Sequence, residues 1–316
     1  MSNEKTAAGV ASTLANCSTS PIVHASSSGA TTIQFASHTP CSTLASSATA
    51  TPSGESAAKG APPPADLLSR VANEHFATQI ASIAGRVLSA SDEPTVHALF
   101  REGVISLGAS CAVFVSFAYD QSRLSTCRLM LACDLDWGRA YLLNANFAHD
   151  PWVAYAADHS EPIVASALNV VDIEHQRVAT LAAHAGFVST VLIPAHSGGR
   201  HSRISVLCLG SSTPEYFEGE GTAQVRVSAR MLALELHDWW LSRIRRDLMA
   251  KARITPTDLI LLHHQCQGHS SKRIAAELQV SKSSINSRFQ RLHGKLGVGT
   301  RRKAVQMAID CGLILK

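Results

Sequence analysis

The sequence predicts an α+β domain, an antiparallel sheet with helices on its faces, followed by a small all-α helix-turn-helix domain and preceded by a disordered tail. Three observations predict it. The hydrophobic period over 67–250 switches from helical to strand-like and back, a run of capped helices follows residue 251, and residues 1–66 show no period at all. The 316 residues suffice for two domains of ordinary size.

The first 66 residues are dominated by Ser, Ala, Thr and Pro, as in "STLASSATATPSGESAAKGAPPPAD". Few large apolar side chains are available there to offset chain entropy, so the segment reads as disordered. It lacks the basic-then-apolar pattern of a secretory signal and the Arg-rich character of a transit peptide. No run of about 18 apolar residues occurs, which argues against a membrane partner and makes the cytosol the expected location.

Ordered structure is expected from Asp66. "LLSRVANEHFATQIASIAGRVL" has helical spacing, and a second helix starts at Ser91 or Asp92 with Pro94 in its first turn. "CAVFVSFAY" (111–119) and "LSTCRLMLA" (124–132) read as strands joined by a polar turn at 120–122. "DWGRAYLLNANFAHDPW" (136–152) follows as short helices, and "PIVASAL" as a further strand. A helix over 172–187 precedes a strand pair, "STVLIPAH" and "RISVLCLG", joined through 197–199. A long helix, about Thr222 to Lys251, leads out of the domain.

Eight cysteines form no Cys-x-x-Cys pair and none sits at zinc spacing with His, so reduced thiols are expected. His263 and His264 adjoin, and adjacent helical positions do not share a face, so no metal site is read there. No nucleophile–base set suggests an enzyme.

Charge divides the chain. Residues 251–316 hold twelve Lys/Arg against three acids, a net of +9; the remaining sixteen bases and twenty-one acids leave 1–250 at −5. A polyanion partner is expected for the last 66 residues. There Thr255-Pro256-Thr257-Asp258 opens a helix that Gly268 ends, Ser270 caps a second, and Ser281 caps a third, "KSSINSRFQRLHGKL". Only Gln279-Val280 separates the last two. Ile285, Phe289, Leu292 and Leu296 fall on one face of the third helix. Ser283, Ser287 and Gln290 oppose them, flanked by Lys282, Asn286 and Arg291. Such a helix suits the major groove of double-stranded DNA. Lys272, Arg273 and Arg301 are placed for phosphates, which supply affinity without reading sequence.

This region, "ITPTDLILLHHQCQGHSSKRIAAELQVSKSSINSRFQRLHGKLGVGTRRKAVQMAIDCGLI", closely resembles the LuxR-type helix-turn-helix of bacterial transcription regulators. It departs from the family pattern at Gln279, where a turn Gly is usual, at Arg288 for His and at Arg273 for Glu. The resemblance implies that the third helix reads DNA and that the last, about Arg302–Cys311, supports a homodimer.

The acidic domain offers none of the acidic pairs or alternating β/α order of a phosphoacceptor receiver. It resembles instead the N-acyl-homoserine-lactone-binding domain of the quorum-sensing LuxR subfamily, through Trp137, Tyr141 four residues on, and Asp150-Pro151 nine residues after the Tyr. Gly186 and Ile193-Pro194 resemble a later strand region. Trp137 and Tyr141, at i and i+4, can line one wall. The resemblance implies an indole N–H and a phenol for ligand carbonyls, and a carboxylate for the amide N–H. Taken alone, Asp150-Pro151 also fits a helix cap, and the aromatics fit a core. Further departures fall around the implied small-molecule signal: Ala165 for a second pocket Trp, Thr190 for Gly, Cys133 for Tyr, and Cys208 for Ser or Thr. They imply a reshaped cavity and an altered ligand, or a regulator that needs none.

Overall fold

The structure, a computed structural model, describes residues 21–25, 30–35, 67–120, 123–144, 146–196 and 203–314. The turn residues 121–122 and the loop 197–202 lie outside them. Seven antiparallel strands form one sheet. They are β1 (Pro21–Ala25), β2 (Ala30–Phe35), β3 (Cys111–Asp120), β4 (Arg123–Ala132), β5 (Ile163–Val164), β6 (Ser189–His196) and β7 (Arg203–Ser211), in the order β1-β2-β4-β3-β7-β6-β5.

The first two strands fall inside the segment that its composition predicts to be disordered. The sequence of β2, ATTIQF, contains β-branched and aromatic residues. The edge of β4 supplies its backbone partners, with Ala30 opposite Met130 and Gln34 opposite Thr126. The rest of 1–66 lies outside the described residues.

A helical start is observed as two pieces, α1 (Leu67–Val71) and α2 (Phe76–Ser89), not one. Between them the His75 N–H donates to the Asn73 side chain at 2.8 Å. A side chain that captures a nearby backbone donor competes with the helix. Then α3 (Glu93–Ser106) begins as expected, with the Asp92 carboxylate accepting the Thr95 N–H at 2.8 Å. "PIVASAL" yields only the two residues of β5 before a 3-10 turn at Ala165–Ala167.

Alternation along the strands splits the domain into two cores. Phe114, Met130, Ile193 and Leu207 face α2, α3 and α7 (Thr222–Lys251), packing with Phe100, Leu232 and Trp239. Val115, Leu129, Leu192 and Cys208 face the opposite way, toward α4 (Leu135–Leu143), α5 (Pro151–Asp158) and α6 (Ile173–His184). One residue of register slip would exchange these two sets. No described helix is long and apolar enough to cross a membrane.

A third core holds the C-terminal helices α8 (Pro256–Cys266), α9 (Ser271–Glu277), α10 (Lys282–Leu296) and α11 (Arg301–Asp310) around Leu261, Ile274, Ile285, Phe289 and Leu292. Each expected cap is made: Thr255 and Asp258 form a capping box, Ser270 accepts from Arg273 N–H, and Ser281 from Ser284 N–H. The end of α11 approaches the sheet. There burial lowers the Arg203 guanidinium to about 10, while the Asp310 carboxylate favours its charge.

Candidate functional site

The stretch 136–152 folds into α4, a 3-10 turn at Asn146–His149 and the start of α5, laid over the second face of the sheet. Gly138 lets α4 lie close, because a Cβ there would collide with the Leu131 side chain on β4. One turn apart, Trp137 and Tyr141 have ring centroids separated by 5.4 Å. The Tyr141 hydroxyl donates to Asp150 Oδ2 at 2.6 Å, and Asp150 Oδ1 accepts the Trp152 N–H at 2.7 Å. Asp150 is therefore both the cap of α5 and the hydrogen-bond partner of Tyr141.

Both groups are buried. Burial drives the Tyr141 phenol well above its ordinary value, and the Asp150 charge adds to this. Burial also raises the Asp150 carboxyl, opposed by the hydrogen bonds from Tyr141 and the backbone. The indole N–H of Trp137 has no hydrogen-bond partner among the described residues.

The other residues singled out from the sequence come to the same layer. Cys208 is buried within it, while Cys133 and Ala165 pack half-buried against it. Thr190, on β6, is buried with its hydroxyl donating to Phe187 O at 3.2 Å. Phe187 is the member that sequence reasoning missed. Its ring sits 5.4 Å from Trp137 and 5.7 Å from Trp152, linking the two Trp. Gly210 makes room for it, since a Cβ there would lie 2.5 Å from the Phe187 ring and 2.6 Å from Cys111 Sγ. A separate groove of about 490 Å³ lies elsewhere, between α1–α2 and the start of α7, lined by Val71, Phe76 and Val227 among others. It holds none of the anchors.

On the basic domain, Lys272, Arg273, Lys282, Ser283, Asn286, Ser287, Gln290 and Arg291 are all exposed. Arg273 pairs with Glu277 at 2.7 Å, and the Ser283 hydroxyl with that of Ser281 at 2.8 Å. Arg301 differs from a free phosphate contact. Its guanidinium donates to Ser271 Oγ at 2.7 Å and to Asn286 Oδ1 at 2.8 Å, and lies 4.0 Å from the Phe289 ring centroid. It holds the side chain of Asn286 in place on α10.

Two family models match in tandem: the autoinducer-binding domain over residues 95–239, and the bacterial regulatory proteins of the luxR family over 252–308. The chain belongs to the LuxR family. It is a transcription regulator with an autoinducer-binding domain ahead of its DNA-binding one. The transcriptional regulatory protein YdfI of Bacillus subtilis (strain 168) is 33% identical over 78 residues, 23% of this chain; the match spans 37% of that relative's length. The crystal structure of Escherichia coli SdiA is similar with a TM-score of 0.61 and 14% identity, covering 76% of this chain and all of SdiA. SdiA in complex with octanoyl-rac-glycerol gives 0.58 and 14%, covering 77% and 98%. At these identities the likeness establishes the shared fold of this LuxR-family regulator.

Proposed function

We propose that this regulator is a cytosolic homodimer whose binding to double-stranded DNA is controlled by a small acyl signal, an N-acyl-homoserine lactone or a related compound, held at Trp137, Tyr141 and Asp150. One observation carries the proposal: the buried Tyr141–Asp150 hydrogen bond of 2.6 Å stands beside the half-buried Trp137 ring, which packs against an otherwise apolar, aromatic layer. A few convergent polar groups in an apolar surround are what a small-molecule site needs to fix orientation. The indole N–H suits a lactone carbonyl; the phenol can exchange its bond to Asp150 Oδ2 for one to an acyl carbonyl, which frees that carboxylate oxygen to accept an amide N–H.

Ala165 in place of a large aromatic widens one wall, while Thr190 fills space near Phe187. These positions support a signal different in shape from the common lactones. SdiA is known in complex with octanoyl-rac-glycerol, so acylglycerols belong in the set to be tested. Mass spectrometry of small molecules released from the purified protein tests the proposal. An acyl compound at near one equivalent per chain is expected, and release of none from soluble, DNA-binding protein would refute it.

A second reading is favoured by one feature of the same geometry. Tyr141, Asp150 and the Trp152 N–H satisfy one another, which a ligand-independent regulator would also require. Soluble expression and operator binding in the absence of any acyl compound would select that reading.

On the DNA-binding side, Asn286, Ser287 and Gln290 are proposed to read base edges, with Lys282, Ser283, Arg291, Lys272 and Arg273 on the flanking backbone.

A further inference from the structure

On the helix-turn-helix domain, three side chains that are unremarkable in linear sequence are brought together by the fold. His264 lies in the last turn of α8, His269 follows the end of that helix, and Glu277 closes α9. Gly268, at φ +75°, reverses the chain, so the His269 N–H reaches His264 O at 3.0 Å. The two imidazoles then face each other with Nδ1 to Nδ1 at 2.9 Å, and Glu277 Oε2 lies 3.3 Å from His264 Nδ1. All three ligand atoms fall within 4.8 Å of one another.

We propose that His264, His269 and Glu277 bind a divalent first-row transition metal, with zinc as the ion to test. Bonds of roughly 2.0–2.2 Å to imidazole nitrogen and carboxylate oxygen put pairs of donor atoms about 3 Å apart, the spacing of the two pairs that share His264, while the third pair lies within 4.8 Å. Two imidazoles and a carboxylate are donors that zinc and its neighbours prefer over magnesium or calcium. The His264 side chain is 14% exposed and that of Glu277 39%, so protein encloses one side and water can complete the shell on the other.

The donors are also oriented. The second carboxylate oxygen of Glu277 accepts from Arg273 Nε at 2.7 Å, which fixes the carboxylate and keeps it ionised. The same guanidinium charge opposes a cation, so Arg273 tunes the affinity downward. His263 takes no part, because its Nε2 is engaged by Gln267 at 3.0 Å. When the metal binds, the proton between the two Nδ1 atoms is displaced and each neutral ring carries its proton on Nε2. The bound ion ties α8 to α9, the pair on which α10 is mounted.

The test is a zinc chloride titration of the full chain, first stripped with a chelator, followed by calorimetry and by melting temperature. One saturable equivalent per chain is expected, with a melting temperature that rises by several degrees with zinc. His269→Gln and Glu277→Gln should each weaken that equivalent at least about tenfold, the scale on which even outer-shell partners act. Zinc uptake by His264→Gln/His269→Gln equal to wild type in stoichiometry and affinity, or no saturable zinc binding by the wild type, would overturn the proposal. Should that double variant fail to fold by circular dichroism, Glu277→Gln at its more exposed position decides alone.

Discussion

Tyr141 and Asp150, nine residues apart, meet across 2.6 Å beneath an aromatic layer. The contact joins α4 to the cap of α5 and adds to the effect of burial on Tyr141 while opposing it on Asp150. Tyr141→Phe should cost about 1–3 kcal/mol, the usual penalty for leaving a buried polar group short of a partner. Equilibrium urea unfolding measures this. Because burial raises the Asp150 carboxyl above 3.8 in the folded state, the native chain holds that proton longer than the unfolded one. Stability from this group therefore falls as pH rises from 3.8 through the folded value. The Tyr141 hydroxyl favours the ionised form, so the penalty of Tyr141→Phe should be greatest at neutral pH and shrink on acidification.

Asp258 shows the opposite linkage. Partial burial raises its carboxyl, but the 2.6 Å contact with Lys295 Nζ and the bonds from Thr255 outweigh this and leave it below 3.8. Its stabilisation is present above 3.8 and is lost as pH falls through the folded value. Lys295→Ala should cost about 1.5–3 kcal/mol at pH 7, the range for hydrogen bonds to charged groups. The deficit should close below pH 3.8, and thermal melts across pH check it.

Gln279 occupies the helix-turn-helix turn at φ +52°. A left-handed conformation costs a side-chain residue about 1–2 kcal/mol, of which glycine's extra unfolded entropy returns about 0.5–1. Gln279→Gly should therefore stabilise the chain by up to about 1.5 kcal/mol, read as a higher urea midpoint, with DNA affinity unchanged.

Arg301 is bonded to Asn286 and Ser271, so its loss should free the Asn286 amide. Arg301→Ala and Asn286→Ala should each relax base preference, and the double variant should be little worse than either, a coupling of about 0.5–3 kcal/mol. Fluorescence anisotropy on a selected binding sequence and on random DNA reads this out. Strict additivity, with Arg301→Ala weakening both DNAs equally, would make Arg301 an independent phosphate contact.

Local chemistry made much of the fold legible. The caps at Asp92, Thr255, Ser270 and Ser281 and the long α7 follow from neighbouring residues. The break at 72–75 was not legible, because it depends on Asn73 outcompeting a helix with otherwise good spacing. In the sensor layer, residue spacing could bring Trp137, Tyr141 and Asp150 together. It could not reveal Phe187, which reaches the cluster only because Gly210 on a neighbouring strand leaves space. The sequence places Arg301 for phosphates, but it could not show the bonds to Ser271 and Asn286, which lie on two other helices.

The most direct test of a signal held at Trp137, Tyr141 and Asp150 is the melting temperature of the full chain across a panel of N-acyl-homoserine lactones and octanoylglycerol. The account predicts a saturable rise of several degrees with at least one acyl compound, reduced by Trp137→Phe and by Asp150→Asn, and little response to common short-chain lactones. No rise with any member of the panel, or a rise that both substitutions leave intact, would contradict it.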